Sequence, residues 1–243
     1  MDIYQAIIQA YHDVDNAHGN IHIFQCLSNF YERYERTFTE DFNKEIYTLE
    51  FVMVTLMLHD IGLSEQICKE VGIKGNVENP EWRRENHHIN SSVIFSSLWS
   101  NEFPEDTFCA QIKKYGFNDI VNSEIKCMIG ADAIFHHRAS VTQHTTLEKF
   151  LRTCDGLNTA EDLIKRHVIH GIRVRGKTDF DSCLECVYDH LEKKYTGSNA
   201  YSKKLPLEWG NRVYESEIQR LKSFSKEKFE SLAKEFFDEE MKN

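Results

Sequence analysis

The chain has 243 residues, 41% of them hydrophobic, and its 29 basic and 39 acidic side chains give a formal net charge of −10. That is apolar material for one large domain, or a domain with an appendage, while the acidic balance excludes a broad nucleic-acid or anionic-membrane surface and leaves room for a small basic pocket. Three prolines in this length suit long helices rather than a turn-rich β fold.

The opening Met1-Asp2-Ile3-Tyr4-Gln5 lacks the charged and apolar regions of a signal peptide, and no apolar run approaches transmembrane length. Seven cysteines (Cys26, Cys68, Cys109, Cys127, Cys154, Cys183 and Cys186) form no secreted disulfide framework, so reduced thiols in a cytoplasmic protein are expected. Cys183 and Cys186 make one CxxC, but a structural zinc site needs a second pair or histidines at suitable spacing; helix packing is the expectation.

Ile3, Ile7, Ile8 and Tyr11 recur at helical spacing and predict an amphipathic helix over residues 2–16. Asn16 to Asn20 breaks it, and Ile21, Phe24, Leu27, Phe30 and Tyr31 open the next helical face. His18 and His22 stand four apart at this junction. A central apolar helix is predicted over 43–60, ending Leu58-His59-Asp60-Ile61-Gly62. Gly62 stands where a C-cap is expected, which puts His59 and Asp60 in the last turn, where the dipole favours a cation. A charged Asp beside such an apolar run needs a partner or costs several kcal/mol.

From Leu63 to Trp82 the periodicity is lost, and Gly72, Gly75, Asn76, Asn79 and Pro80 predict a loop. Trp82-Arg83-Arg84-Glu85-Asn86-His87-His88 leads into a helix ending near Trp99. Residues 119–137 are helical by period and end in His136-His137. Leu147 opens a short helix that reaches Cys154-Asp155-Gly156-Leu157-Asn158, and another follows from Ala160 to about Ile172. Arg173, Arg175 and Lys177 make a basic patch. Phe180–Tyr195 and Val213–Phe237 read as two amphipathic helices. With no sustained period-2 alternation, the chain is expected to be all-α.

In order, the predicted helix ends carry His22, His59-Asp60, His87-His88, His136-His137 and Asp155. This order resembles the HD-domain superfamily of metal-dependent phosphohydrolases, whose signature is a His, a later His-Asp pair and a distal Asp. His59-Asp60-Ile61-Gly62 looks like the central motif, His22 like the first ligand with His18 at a shared spacing, and Lys149 to Asn158 like the segment of the distal Asp. Cys154 and Asn158 depart from the family's usual residues there but leave Asp155 in place. The resemblance covers roughly residues 18–165.

The resemblance implies an HD-domain-like helical bundle, expected over 1–200. The Lys/Glu alternation with Phe224, Phe229, Leu232, Phe236 and Phe237 leads one to expect a C-terminal helical extension over 201–243, packed on the same domain or forming a homodimer surface. The resemblance also implies one divalent transition metal held by His22, His59, Asp60 and Asp155, with His59 and Asp60 as the catalytic pair. Two imidazoles and two carboxylates suit Mn, Fe, Co, Ni or Zn better than Ca. His88 and His137, or their neighbours His87 and His136, are the expected residues for a second ion or a phosphate contact. Of each doublet the inward member is expected to be His88, because Ser92 and Ser96 repeat its face, and His137. Arg83, Arg84, Arg138 and His18 are the candidate substrate contacts. The expected activity is hydrolysis of a phosphoester of a small molecule, with a nucleotide as leading candidate, by metal-activated water; no Gly-Tyr-Pro motif follows the His-Asp pair, which disfavours cyclic dinucleotides. The alternatives are a di-iron oxygenase of the same superfamily and a regulatory protein that binds metal or nucleotide without chemistry.

Overall fold

The computed structural model describes residues 1–14, 19–38, 45–138, 140–196 and 205–242. His18 lies outside them. Among the described residues there are fourteen α-helices and no strand, so the chain is all-α as expected. None of these helices alone is long and apolar enough to cross a membrane. The expected boundary at 200/201 lies outside the described residues; the chain divides into two compact units, Met1–Asp155 and Gly156–Asn243. The reason lies in the helix after Asp155, whose apolar side packs with helices that follow it in sequence.

In the first unit, α1 (Ile3–Ala10) starts from a capping box between Asp2 and Gln5 and is shorter than its periodicity suggested. Next come α2 (Asn20–Leu27) and α3 (Phe30–Thr37). The central α4 (Leu49–Met57), capped by Thr48, is almost wholly buried, as its continuous apolar run requires. It ends two residues before His59. Tyr11, itself buried, donates its hydroxyl to the Met57 carbonyl at 2.7 Å and satisfies one of the acceptors that a helix end leaves open.

A 3-10 turn, Ile61–Leu63, takes over, so Gly62 is not a C-cap. Its small size serves a close approach instead. A Cβ there would lie 2.6 Å from the His87 carbonyl oxygen, the Ser91 nitrogen and the Asn90 Cβ. Ser64 then caps α5 (Glu65–Val71), and Gly72, at φ 74°, closes it. This helix occupies part of the expected Leu63–Trp82 loop; two turns are too few to display a period. Asn79 and Pro80, read as loop markers, are the N-cap and first residue of the 21-residue α6 (Pro80–Ser100). α7 (Phe108–Lys114), the short α8 (Phe117–Ile120), α9 (Glu124–Phe135) and α10 (Thr146–Gly156) complete the unit. α6 packs along α9 and over the 3-10 turn, which brings both histidine doublets to the end of α4.

In the second unit, α11 (Ala160–Arg173) buries Leu163, Ile164, Val168 and Ile169 and packs on α12 (Phe180–Leu191) and α14 (Lys226–Glu240). A π turn, Glu192–Thr196, extends α12, and α13 (Glu208–Lys222) precedes α14. The expected single helix over 213–237 is therefore two, split at Ser223–Ser225, where the Ser225 side chain caps α14. Arg173, from the basic patch, is paired with Glu240 at 2.5 Å.

His167 on α11 is buried and pushed down to about 4, first by burial and then by Lys194, Arg166 and His190, against the opposing pull of the Leu163 carbonyl. Its folded pKa lies below the unfolded value near 6.5, so its contribution to stability is present above about pH 6.5 and lost as pH falls toward 4. His167→Gln is expected to flatten that acid limb by up to roughly 3 kcal/mol, read from urea unfolding at several pH values.

Candidate metal centre

Four helix ends and the body of α6 supply the site, all in the first unit. His22 comes from the first turn of α2, His59 and Asp60 from the turn after α4, His87 from α6, His137 from the end of α9, and Asp155 from the last turn of α10. His22, His59, Asp60 and His137 are buried, with His59 wholly inaccessible; His87 and Asp155 keep partial exposure and form the open side.

Three of the imidazoles are set in the same way. Nδ1 of His59 donates to the Leu56 carbonyl at 2.6 Å, Nδ1 of His87 to that of Arg84 at 2.7 Å, and Nδ1 of His137 to that of Ile134 at 2.5 Å. A carbonyl can only accept, so Nδ1 carries a proton in each ring, and in the neutral ring Nε2 presents a lone pair. The His59 Nε2 atom is buried with no hydrogen-bond partner. Nε2 of His87 and Nε2 of His137 face one another at 3.2 Å.

Asp60 stands between two sets of nitrogens. Its Oδ2 is 3.6 Å from Nε2 of His22 and 3.6 Å from Nε2 of His59, and its Oδ1 is 3.5 Å from Nε2 of both His87 and His137. Asp155 Oδ1 is 3.3 Å from His22 Nε2 and 4.0 Å from His59 Nε2. Donors about 2.1 Å from a common ion lie about 3.0 Å apart in an octahedron and about 3.4 Å apart in a tetrahedron, so most of these spacings match edges of a coordination shell. Burial alone would raise the Asp60 carboxyl, but His59, His137, His87 and His22 together hold it well below the usual carboxylate range. Burial alone would likewise lower His137, but Asp60 outweighs it and the net shift is upward. Convergent lone pairs, an unpartnered buried nitrogen and two carboxylates fit a cation. These buried His and Asp groups could hold a metal ion.

No family model matches the chain, and searches of curated proteins and of solved structures give no significant match. The site therefore has to be read from its own atoms.

His22, His59, Asp60 and Asp155 come together as the sequence led one to expect, and His137 joins them. The other doublet differs from expectation: His87, not His88, reaches Asp60. The face of α6 that meets the 3-10 turn carries His87 and Ser91, whose Oγ accepts from the Gly62 backbone N–H at 2.8 Å, and this sets the register. Ser92 and Ser96 are on a partly exposed face. His88 packs against Phe135, with ring centroids 5.6 Å apart, and burial followed by His87 and Arg138 pushes it down to about 4. His136 turns away to Asp132, at 3.2 Å, near Glu148.

Arg83 is committed elsewhere. Its buried guanidinium donates to the carbonyls of Leu63, at 2.8 Å, and Val77, and to the Glu65 carboxylate, at 3.2 Å, so it ties α6 to the chain around α5 instead of facing a substrate. Arg84 pairs with Glu81 at 3.3 Å, and Arg138 donates to the Glu85 carbonyl at 2.9 Å. Two residues escaped the sequence reading. Arg152 is buried and donates to Asp155 Oδ2 at 2.5 Å; its three-residue spacing from Asp155 on a helix was the available signal. Cys26, one turn after His22, lies within reach of both His22 and His59.

Proposed function

We propose that the chain is a metal-dependent phosphohydrolase of the HD type that cleaves a phosphoester of a small molecule, with a nucleotide as the leading substrate class. One observation carries this reading: three imidazoles pinned at Nδ1 turn their Nε2 lone pairs onto a carboxylate shared by both sides. His22, His59, Asp60 and Asp155 would hold a divalent transition ion (Mn, Fe, Co, Ni or Zn), and His87 and His137 with Asp60 Oδ1 offer donors for a second. When bound, such an ion supplies Lewis acidity toward a phosphoryl oxygen and lowers the pKa of water toward neutrality.

The chain's own groups prepare that chemistry. The Leu56, Arg84 and Ile134 carbonyls hold the three rings, when neutral, in the tautomer whose Nε2 can donate to an ion. Arg152 engages one oxygen of Asp155 and leaves Oδ1 directed at His22. Of the expected substrate cations, Arg138 and Arg84 would have to exchange their contacts with the Glu85 carbonyl and Glu81 for a substrate phosphate. The buried side of the site, around His59, keeps bulk water away from the Asp60 carboxylate and strengthens its hold on a cation.

The test is phosphate release from a panel of nucleotides and phosphomonoesters with Mn²⁺, Co²⁺ or chelator, beside Asp60→Ala. Release that needs metal and disappears in the variant supports the proposal. Silence across the panel from metal-loaded protein would sink it. The two-sided donor set around Asp60 also suits a di-iron oxygenase, and iron content with oxygen uptake separates that second reading.

A further inference from the structure

Cys26 sits four residues after His22 on α2, the spacing that places two side chains on one helix face. It is wholly buried, and none of the seven cysteines is in a disulfide. Its Sγ is 3.6 Å from His22 Nε2, and donor atoms of His22, Cys26 and His59 all lie within 4.8 Å of one another. An imidazole nitrogen about 2.1 Å and a thiolate about 2.3 Å from one five-coordinate ion are themselves about 3.1–3.8 Å apart, across angles of about 90–120°. Sγ is also 3.9 Å from His22 Nδ1, so it overlies the ring, nearer Nε2 than Nδ1; as a ligand it would turn about Cα–Cβ toward the ring plane. The backbone at this point is held: Arg33 donates to the Cys26 carbonyl at 3.3 Å. A second and independent pointer is the buried, unpartnered His59 Nε2 in the same group of three.

Resting on the reading of this centre as a metal site, we propose that Cys26 is a further ligand, donating its sulfur to the same ion as His22 and His59. The S–H bond gives way to a sulfur–metal bond and its proton passes to solvent. A soft thiolate beside two imidazoles and the carboxylates biases the centre toward zinc, cobalt or iron and away from manganese. Cys154 is the natural comparison. It neighbours Asp155 and is equally buried, with its thiol pushed up to about 12 by burial against the pull of Arg33, yet it is not in the donor group.

The experiment is a Co²⁺ titration of the full metal-stripped chain by absorption spectroscopy. Visible d–d bands report that the ion is bound, and a near-ultraviolet thiolate-to-cobalt band reports sulfur in its shell. Wild type and Cys154→Ser are expected to show both. Cys26→Ser is expected to keep the visible bands, lose the near-ultraviolet band and release Zn²⁺ to a competing chelator at least about tenfold more readily. Visible bands without the near-ultraviolet band in wild type overturn the ligand role of Cys26 and leave the metal centre standing. No cobalt spectrum at all overturns both. If Cys26→Ser does not fold, the wild-type spectrum still decides, with Cys154→Ser as the second variant.

Discussion

Asp60→Ala is expected to leave a folded protein that no longer retains metal and no longer releases phosphate. The carboxylate is buried, and four imidazole nitrogens lie 3.5–3.6 Å from its two oxygens. An ion entering the variant would meet neutral lone pairs and the partly engaged Asp155, with no anion at the centre of the group. Loss of an outer-shell partner typically costs about 10–100-fold in metal affinity, and loss of this shared ligand should exceed that range. Metal content after gel filtration measures it directly, with far-ultraviolet circular dichroism as the check on folding. Metal retained at the wild-type level in Asp60→Ala would mean that the ion, if any, is held elsewhere.

The second large effect is expected at Gly62. An added methyl would meet backbone of α6, the His87 carbonyl and the Ser91 nitrogen, at 2.6 Å, and a helix backbone cannot turn aside as a long side chain can. Overpacking of this kind costs about 1–3 kcal/mol and sometimes more. Here it also pushes away the helix that carries His87 and strains the bond from Gly62 N–H to Ser91 Oγ. Gly62→Ala should therefore lower both the denaturation midpoint and metal retention. Gly72→Ala is the contrast. Its φ of 74° is unfavourable for alanine, but nothing lies within 4 Å of the new methyl, so a loss of about 1–2 kcal/mol with metal retention intact is expected. Equal effects of the two substitutions on metal would refute the packing argument.

These two residues also show where the sequence was legible. The apolar run into His59-Asp60 identified the end of a buried helix and the buried His-Asp pair beside it, because a charge at that place needs a partner. The role of Gly62 was misread, because a glycine after an apolar helix looks the same whether it caps the helix or makes room for a neighbour. The inward member of His87-His88 depended on which face of α6 meets the 3-10 turn, a long-range packing fact that adjacent residues on a helix do not encode. Arg83 drew attention as a phosphate contact by its nearness to the doublet, yet a buried guanidinium seeks fixed acceptors, and three lay close by. Ser64 and Ser225 were visible as capping residue types, but each precedes a helix the apolar pattern did not separate. The nearness of Cys26 to His22 was readable in principle, because residues four apart share one helix face.

The pinned imidazoles have one more consequence, for motion. Each ring is tied to the carbonyl three residues earlier, so local fraying of the backbone at residues 56–59, 84–87 or 134–137 releases the ring with it. An ion that joins these rings couples segments far apart in sequence, and opening any one of them then requires giving up a bond to the ion. Such linkage adds about 2.7 kcal/mol at a free-ion concentration one hundred times the dissociation constant. Amide hydrogen exchange in those segments should accordingly slow together when metal is bound, turning independently opening segments into one cooperative unit.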